Sequence, residues 1–473
     1  MTNTNNLILA IDQGTGSTKG LLVTENLEVF AQHSENIDIE SPQSGWVQQD
    51  ANQIWESVAK NIDALVAKGQ GNIAGLAITN QRESAVAWDK QTGEPIGPML
   101  GWQDRRTAGR LDDLTAVQKT RIREITGLPL DPMFSALKLE WLLDQYDADR
   151  SRSKAGEIAL GTVDAWLVYK LTGQHRVELG NASRTQLLDI HSSDWSDELL
   201  GLFNIPKAAL PELVASDSAS TEITSTSAKG LRVLSVLADS HAALFAHGSN
   251  IKATFGTGSS IMALTKNPVE APGLVQTVAW ADRNGTVTAL EGNILSSGAT
   301  VVWLAELLGS TPAELASLAV TAKATNVNLV PAFGGLGAPW WDADAQGVVT
   351  GLTLAASRAE LARAAFESIV LQIEDVIAAV ESATGERIEQ VNVDGGPTAN
   401  EWLMQLMADY SQRIIVKNDI PELSAIGVAK FANQSKASAH TTTYSPKISV
   451  SEANARKASW HEAVTTSRMQ RSN

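Results

Sequence analysis

Short apolar runs alternate along the chain with longer stretches whose apolar residues recur every three to four positions, the order expected of strands interleaved with helices. Leu7 to Ile11 is the first run, ended by Asp12 and the turn residues Gln13, Gly14, Thr15 and Gly16. Gly20 to Phe30 alternates with period two and predicts a second strand, so the intervening turn closes a β-hairpin. Gly75 to Thr79 and Ser84 to Trp88 predict strands on either side of a polar patch, Asn80, Gln81, Arg82 and Glu83, which marks a cleft edge. In the later half Ile251 to Phe255, Ser260 to Leu264 and Val391 to Asp394 read as strands. Ser357 and Glu360 fit a capping box, and Leu361, Ala364, Ala365, Ile369, Ile373, Val376, Ile377 and Val380 keep helical spacing until Gly385, which predicts one long core-facing helix. The Ser/Thr-rich stretches from Ser216 to Ser227 and from Ser435 to Tyr444 read as surface connections.

One turn repeats. Gly14-Thr15-Gly16-Ser17 returns as Gly256-Thr257-Gly258-Ser259, each time directly after an apolar strand and about half a chain apart, which points to a duplicated domain. A Gly-rich turn lets backbone N–H groups converge on an anion, and Thr and Ser hydroxyls add donors of little bulk. Two such turns facing one cleft would grip a polyphosphate. The other reading is two ordinary hairpin turns, since hairpins favour the same residues. Neither turn is a Walker loop, and a dinucleotide fingerprint is disfavoured because the turn enters a strand rather than a helix. A third Gly-rich turn, Gly395 to Asn400, follows the strand ending at Asp394 and leads into a helix near Asn400; it suits a ligand at a helix start or a plain connection.

Composition narrows the partners. The chain has 473 residues, room for two or three domains, and its 37 Lys and Arg against 53 Asp and Glu give a net charge of −16. Such a surface repels nucleic acid and anionic lipid, so any phosphate is held locally. The absence of cysteine removes disulfides, thiolate catalysis and Cys-built zinc sites, and the seven His show no metal-binding spacing. Neither a membrane span nor a signal peptide is legible, and a cytoplasmic protein is expected.

Taken in order, AIDQGTGSTK (10–19), GWVQQD (45–50), ITNQRE (78–83), WQDRRT (102–107), NASRTQLLDIH (181–191), ADSHAALF (238–245), FGTGSS (255–260), ALEGN (289–293) and VDGGPTAN (393–400) resemble the FGGY carbohydrate kinases, closest to the glycerol kinase branch. The resemblance runs from Leu7 to about Gly427. It implies an α/β fold of two ribonuclease-H-like domains of the actin/hexokinase/Hsp70 type, 1–247 and 248–473, with ATP, Mg2+ and a small polyol or sugar in the cleft between. It leaves a homo-oligomer open.

What the resemblance implies for single residues is specific. Asp239 takes the place of the catalytic aspartate, where position alone would make it a helix N-cap. Asp12 matches the acid near Mg2+. Thr15, Gly16, Ser17 and Lys19 match the first phosphate turn; Gly256, Thr257 and Gly258 match the second. Gly298, Val302, Gly396 and Asn400 match positions near the adenosine. Arg82, Glu83, Trp102 and Asp239 match the substrate clamp. The departures are Lys19 for an arginine, Met133 for an aromatic hydroxyl, Ser240 for a glutamine, Ser260 for a phenylalanine and Val302 for a glutamine. Met133, Ser240 and Ser260 fall in the substrate pocket, and their loss of bulk and of hydrogen bonds implies a substrate larger than glycerol. Glycerol itself in a repacked pocket is one alternative, and a nucleotide-binding regulator without catalysis is another.

Overall fold

The two Gly-Thr-Gly-Ser turns hold equivalent places in two sheets of the computed structural model, which describes residues 6–218, 221–322, 326–420, 422–435, 437 and 441–469. In the first sheet β1 (Leu7–Gln13) returns through the turn as β2 (Ser17–Val23), and β3 (Val29–Asn36) follows antiparallel. Two strands, β4 (Ile73–Asn80) and β5 (Val233–Ala238), add in parallel to give the order β5-β4-β1-β2-β3. The second sheet contains β6 (Ile251–Phe255), β7 (Ser259–Thr265), β8 (Val275–Asp282), β9 (Gly285–Ile294), β10 (Gln390–Asp394), β11 (Ile414–Asn418) and β12 (Thr441–Tyr444), in the order β8-β9-β7-β6-β10-β11-β12. Without the edge strands β8 and β12, its inner five strands repeat the order and directions of the first sheet. The repeated turn was therefore the trace of a repeated fold.

Local chemistry explains the helices. On α1 (Ala51–Gly69) Asp50 caps the start by accepting from the Asn52 N–H at 2.8 Å. Next come α2 (Asp239–His247), which leads straight out of β5, and α3 (Gly298–Leu307). The long helix expected between Ser357 and Gly385 is α4 (Arg358–Thr384), with the capping box formed and Gly385 in the left-handed conformation at its end. It is followed by α5 (Glu401–Ser411), α6 (Leu423–Asn433) and α7 (Val450–Met469). The C-terminal stretch that matched poorly in sequence is anchored by Trp460, whose indole N–H donates to Asp375 Oδ2 at 2.8 Å. Among the described residues no helix is long and apolar enough to cross a membrane.

Each half has its own apolar core. A third joins them: Ile8, Ala10 and Leu237 on one face of the first sheet pack with Ile426, Val428 and Phe431 of α6. There α6 crosses α2 so closely that a Cβ on Gly427 would lie 1.9 Å from the Ala242 carbonyl oxygen.

Three expectations change. The single strand expected over Gly20 to Phe30 is the end of β2 and the start of β3, split by a turn in which the Leu27 N–H reaches the Thr24 carbonyl and Leu27 takes φ 66°. The strand expected over Ser84 to Trp88 is present as Ala85–Asp89, in a separate four-stranded sheet with Gln48–Gln49, Met99–Leu100 and Ile158–Thr162, and the polar patch between the two sheets reaches the cleft through Arg82, as expected. The stretch from Ser216 is not all surface, because Ser216 is buried and donates to Glu178 Oε1 at 2.6 Å; residues 219–220 lie outside the described set. Thr441–Tyr444 is an edge strand rather than a connection, because its backbone pairs with β11.

Candidate active site

Parallel strands of both sheets end on one crevice, the usual place for a ligand in an α/β fold. Asp12 near the end of β1, Arg82 just past β4, Asp239 and Ser240 at the start of α2, and Gly396 just past β10 line a volume of about 800 Å3. Lys252 and Thr254 of β6 and Asp394 of β10 line it from the second half, with Lys417, Asp419 and Glu422 beyond. The two hairpins thus send their first strands to a shared cleft.

Arg82 is the centre of the polar network. Its two terminal nitrogens donate to Glu291 of β9 at 3.1 and 2.9 Å, and its Nε lies 3.3 Å from Asp239 Oδ1 and 3.9 Å from Glu83 Oε1. Glu291 is fully buried, and Arg184 meets it at 2.8 Å. Burial works to raise the Glu291 carboxyl, but Arg184 and Arg82 together hold it far below the usual carboxylate range. Arg184 also donates to Glu83 Oε1 at 2.6 Å. Glu83 therefore faces inward, in a left-handed backbone turn at φ 62°, while Asp239 keeps about two-fifths of its side-chain surface open to the cleft. Asp239 is the first residue inside α2, not its cap; its carboxylate accepts from the Ser240 N–H at 2.6 Å. Desolvation raises its pKa, and the Arg82 charge opposes that rise.

The Asp12 carboxylate makes no hydrogen bond or ion pair with another described residue. Burial pushes its carboxyl up to about 7, reinforced by Asp239 and Glu422 and opposed by Lys19. The described residues hold no cluster of three or more acidic or His groups able to cage a metal. A lone carboxylate among neighbouring negative charge, without a cage, fits a cation that keeps most of its waters, as Mg2+ does. A consequence is measurable. An acid whose folded pKa lies above its unfolded value stabilises fully below the unfolded value, near pH 4, and that contribution is lost as pH rises to about 7. Asp12→Asn is thus expected to raise the melting temperature of the ligand-free protein by about 2–5 °C at pH 8, with a smaller gain at pH 5. Thermal melts at the two pH values check the sign and the trend.

The turn residues do not themselves line the crevice. The first turn is held by the Gly14 N–H donating to the Ser17 carbonyl at 2.9 Å, the Ile37 N–H to the Gly16 carbonyl at 3.0 Å, and Gln49 Nε2 to the Thr15 carbonyl at 2.8 Å. Trp102 Nε1 donates to Thr15 Oγ1 at 3.0 Å, which ties the expected substrate wall to the expected phosphate turn. Lys19 is not a solvated strand charge: its Nζ lies 2.7 Å from Glu422 across the cleft. In the second turn the Gly256 N–H donates to the Gly258 carbonyl at 2.9 Å, and the Gly298 N–H at the start of α3 donates to the Gly256 carbonyl at 3.0 Å. A Cβ on Gly298 would meet that carbonyl oxygen at 2.6 Å, so only glycine fits. Val302 stands about half exposed on α3. Asn400 caps α5, its side-chain oxygen accepting from the Trp402 and Leu403 N–H groups. Ser260 Oγ donates to Glu291 Oε1 at 3.3 Å, and Met133 packs beside Leu128, Phe134 and Val275.

Glu291, Arg184, Lys252, Asp394 and Glu422 were given no role from sequence. The available signal was a charged residue inside an apolar strand, as in Ile251-Lys252-Ala253 or Leu290-Glu291-Gly292, because such charges are buried only when partnered.

The N-terminal domain profile of the FGGY family of carbohydrate kinases matches residues 7–246, and the C-terminal domain profile matches residues 251–435. A glycerol kinase of Alkalilimnicola ehrlichii is 40% identical over 481 residues, covering 97% of both chains. An apulose kinase of Pectobacterium atrosepticum is 39% identical over 438 residues, covering 89% of this chain and 88% of that one. Among solved structures, Plasmodium falciparum glycerol kinase with ADP superposes with a TM-score of 0.93 at 26% identity, over 98% of this chain and 99% of that one. A xylulose kinase from Lactobacillus acidophilus shares the fold with a TM-score of 0.89 at 22% identity, over 98% of this chain and 99% of that one.

Proposed function

Because the chain belongs to the FGGY family of carbohydrate kinases and is thereby an ATP-dependent phosphotransferase acting on a small sugar or polyol, we propose that its acceptor is a polyol or ketose longer than three carbons, such as a tetritol, pentitol or pentulose. The transfer chemistry rests on the open carboxylate of Asp239, 3.3 Å from an arginine that Glu291 holds still. In this reading Asp239 orients the attacking hydroxyl and accepts its proton. The alcohol oxygen bonds to the terminal phosphorus as the bond to the bridging oxygen breaks, and ADP leaves. The transition state is loose, so the alcohol is deprotonated late and a weak base is adequate.

The twin turns, Thr15, Gly16, Ser17 and Lys19 with Gly256, Thr257 and Gly258, cradle the phosphates in this reading. Gly298, Val302, Gly396 and Asn400 surround the adenosine, and the domain border falls at Gly248. Asp12 would hold Mg2+ through water, and the ion would neutralise phosphate charge when bound. In this reading Arg82, Asp239 and Trp102 frame the acceptor, and Glu83 steadies Arg82 from the buried side. Each hydroxyl of a vicinal diol both gives and takes a hydrogen bond, which a paired donor and acceptor satisfy.

Substrate length follows from Met133, Ser240 and Ser260. Ser240 lines the cleft one residue past Asp239, and Ser260 is a small side chain bonded to Glu291, next to Arg82. In this reading Ser240 and Ser260 give an acceptor of more than three carbons room that bulkier side chains would take. A relative at 39% identity that acts on apulose supports this choice, while glycerol kinases at 40% identity favour glycerol as the second reading. Turnover with ATP and Mg2+ across three- to six-carbon polyols and ketoses is expected to peak above three carbons. A clear optimum for glycerol defeats the proposal.

A further inference from the structure

The cleft holds cations, but two of the three that line it are already committed. Arg82 is locked to Glu291, and Lys417 lies 3.1 Å from Asp419. Lys19, at the cleft's edge, pairs with Glu422. Lys252 alone among the lining cations has no carboxylate within ion-pair distance among the described residues. It is 1% exposed, on the strand that leads into the second Gly-rich turn, and its Nζ donates to Thr254 Oγ1 at 2.7 Å. Asp394, opposite Thr254 across the pairing of β6 with β10, is held by His247 Nε2 at 2.7 Å. One ammonium hydrogen is thus fixed and two remain for another acceptor.

A buried ammonium is costly unless an anion meets it. In a protein of net charge −16 whose crevice also presents Asp12, Asp239, Asp394 and Glu422, the anion that suits it is one brought by the reaction. We infer that Lys252 is a catalytic residue whose ammonium touches the phosphoryl group in transfer and offsets the charge gathering on its equatorial oxygens. It keeps its proton throughout, and the bonds made and broken are those given above. The Asp394 carboxylate favours the charged form, against a lowering of the Lys252 pKa by burial.

The inference rests on phosphoryl transfer at this cleft, which wild-type turnover on the acceptor panel tests separately. If no acceptor is phosphorylated, that reading fails before any variant is made. With the best acceptor, Lys252→Met is expected to lower kcat by about a hundredfold or more while the Kd for ADP changes less than about threefold. Binding of ADP with aluminium fluoride and acceptor, which mimics the transferring group, is expected to weaken in step with kcat. The alkaline limb of the wild-type kcat profile, lying below the ordinary lysine range, is expected to vanish in the variant. A kcat within about fivefold of wild type, or a loss of ADP affinity matching the loss of kcat, overturns the assignment. Should Lys252→Met fail to fold, Thr254→Ala retains the ammonium and removes the hydroxyl that aims it. A loss of kcat of about tenfold with unchanged acceptor KM then supports the assignment, and unchanged kcat overturns it.

Discussion

Asp239→Asn is expected to lower kcat by about a thousandfold or more while the KM values for ATP and acceptor move by less than about fivefold. Asparagine keeps the shape of the side chain and can still accept a hydrogen bond, but it cannot take the proton that the attacking hydroxyl must lose. The size of the effect depends on the surrounding geometry surviving, and here it does. Arg82 is held by two hydrogen bonds to Glu291, so loss of the 3.3 Å contact to Asp239 does not free the guanidinium. Desolvation of the Asp239 carboxylate outweighs its attraction to Arg82, so the variant's melting temperature is expected to equal or slightly exceed that of wild type. Steady-state ADP release with the best acceptor, alongside thermal melts, checks both parts. Turnover within tenfold of wild type would mean that Asp239 only orients its neighbours.

A larger loss of stability is expected from Gly427→Val. The new Cβ would lie 1.9 Å from the Ala242 carbonyl oxygen and 2.6 Å from its carbon. These are backbone atoms, so no rotamer change relieves the overlap and the two helices must separate. Overpacking of this kind costs about 3 kcal/mol, which corresponds to a fall of about 6–12 °C in melting temperature for a domain of this size. Activity per folded molecule is expected to fall about tenfold or more as well, because Ala242 lies one helical turn from Asp239 and a displaced α2 carries the carboxylate with it. Gly427→Ala, with the same Cβ but no branching, should show a milder form of both effects. Calorimetric melts and kcat corrected for the folded fraction test the pairing.

Much of the fold was legible because the signals were local. The strand before each repeated turn, the capping box at Ser357 and Glu360, and the helix stop at Gly385 all depend on neighbours within a few residues. The split of Gly20 to Phe30 was missed because the apolar alternation continues through Leu27 in the turn. Ser216 was misjudged for another reason: its partner, Glu178, lies 38 residues away. The site shows the same limit. Asp12, Arg82, Asp239, Ser240 and Gly396 were named and share the crevice, but Arg82 finds Glu291 across 209 residues and Lys19 finds Glu422 across 403. Nothing in local spacing encodes such pairs. A charge flanked by apolar neighbours announces only that a partner exists.

The shared core beneath α6 gives the duplicated architecture an asymmetry. The two halves are copies in topology, yet the first sheet borrows a helix from the second half to roof the face that bears Ile8, Ala10 and Leu237. An N-terminal fragment ending near residue 247 would leave that apolar face bare to water, which makes it a sticky surface rather than a free-standing module. The two copies are therefore interlocked on one side only: cutting the chain between them uncovers the face that α6 roofs, while the second half keeps its own core.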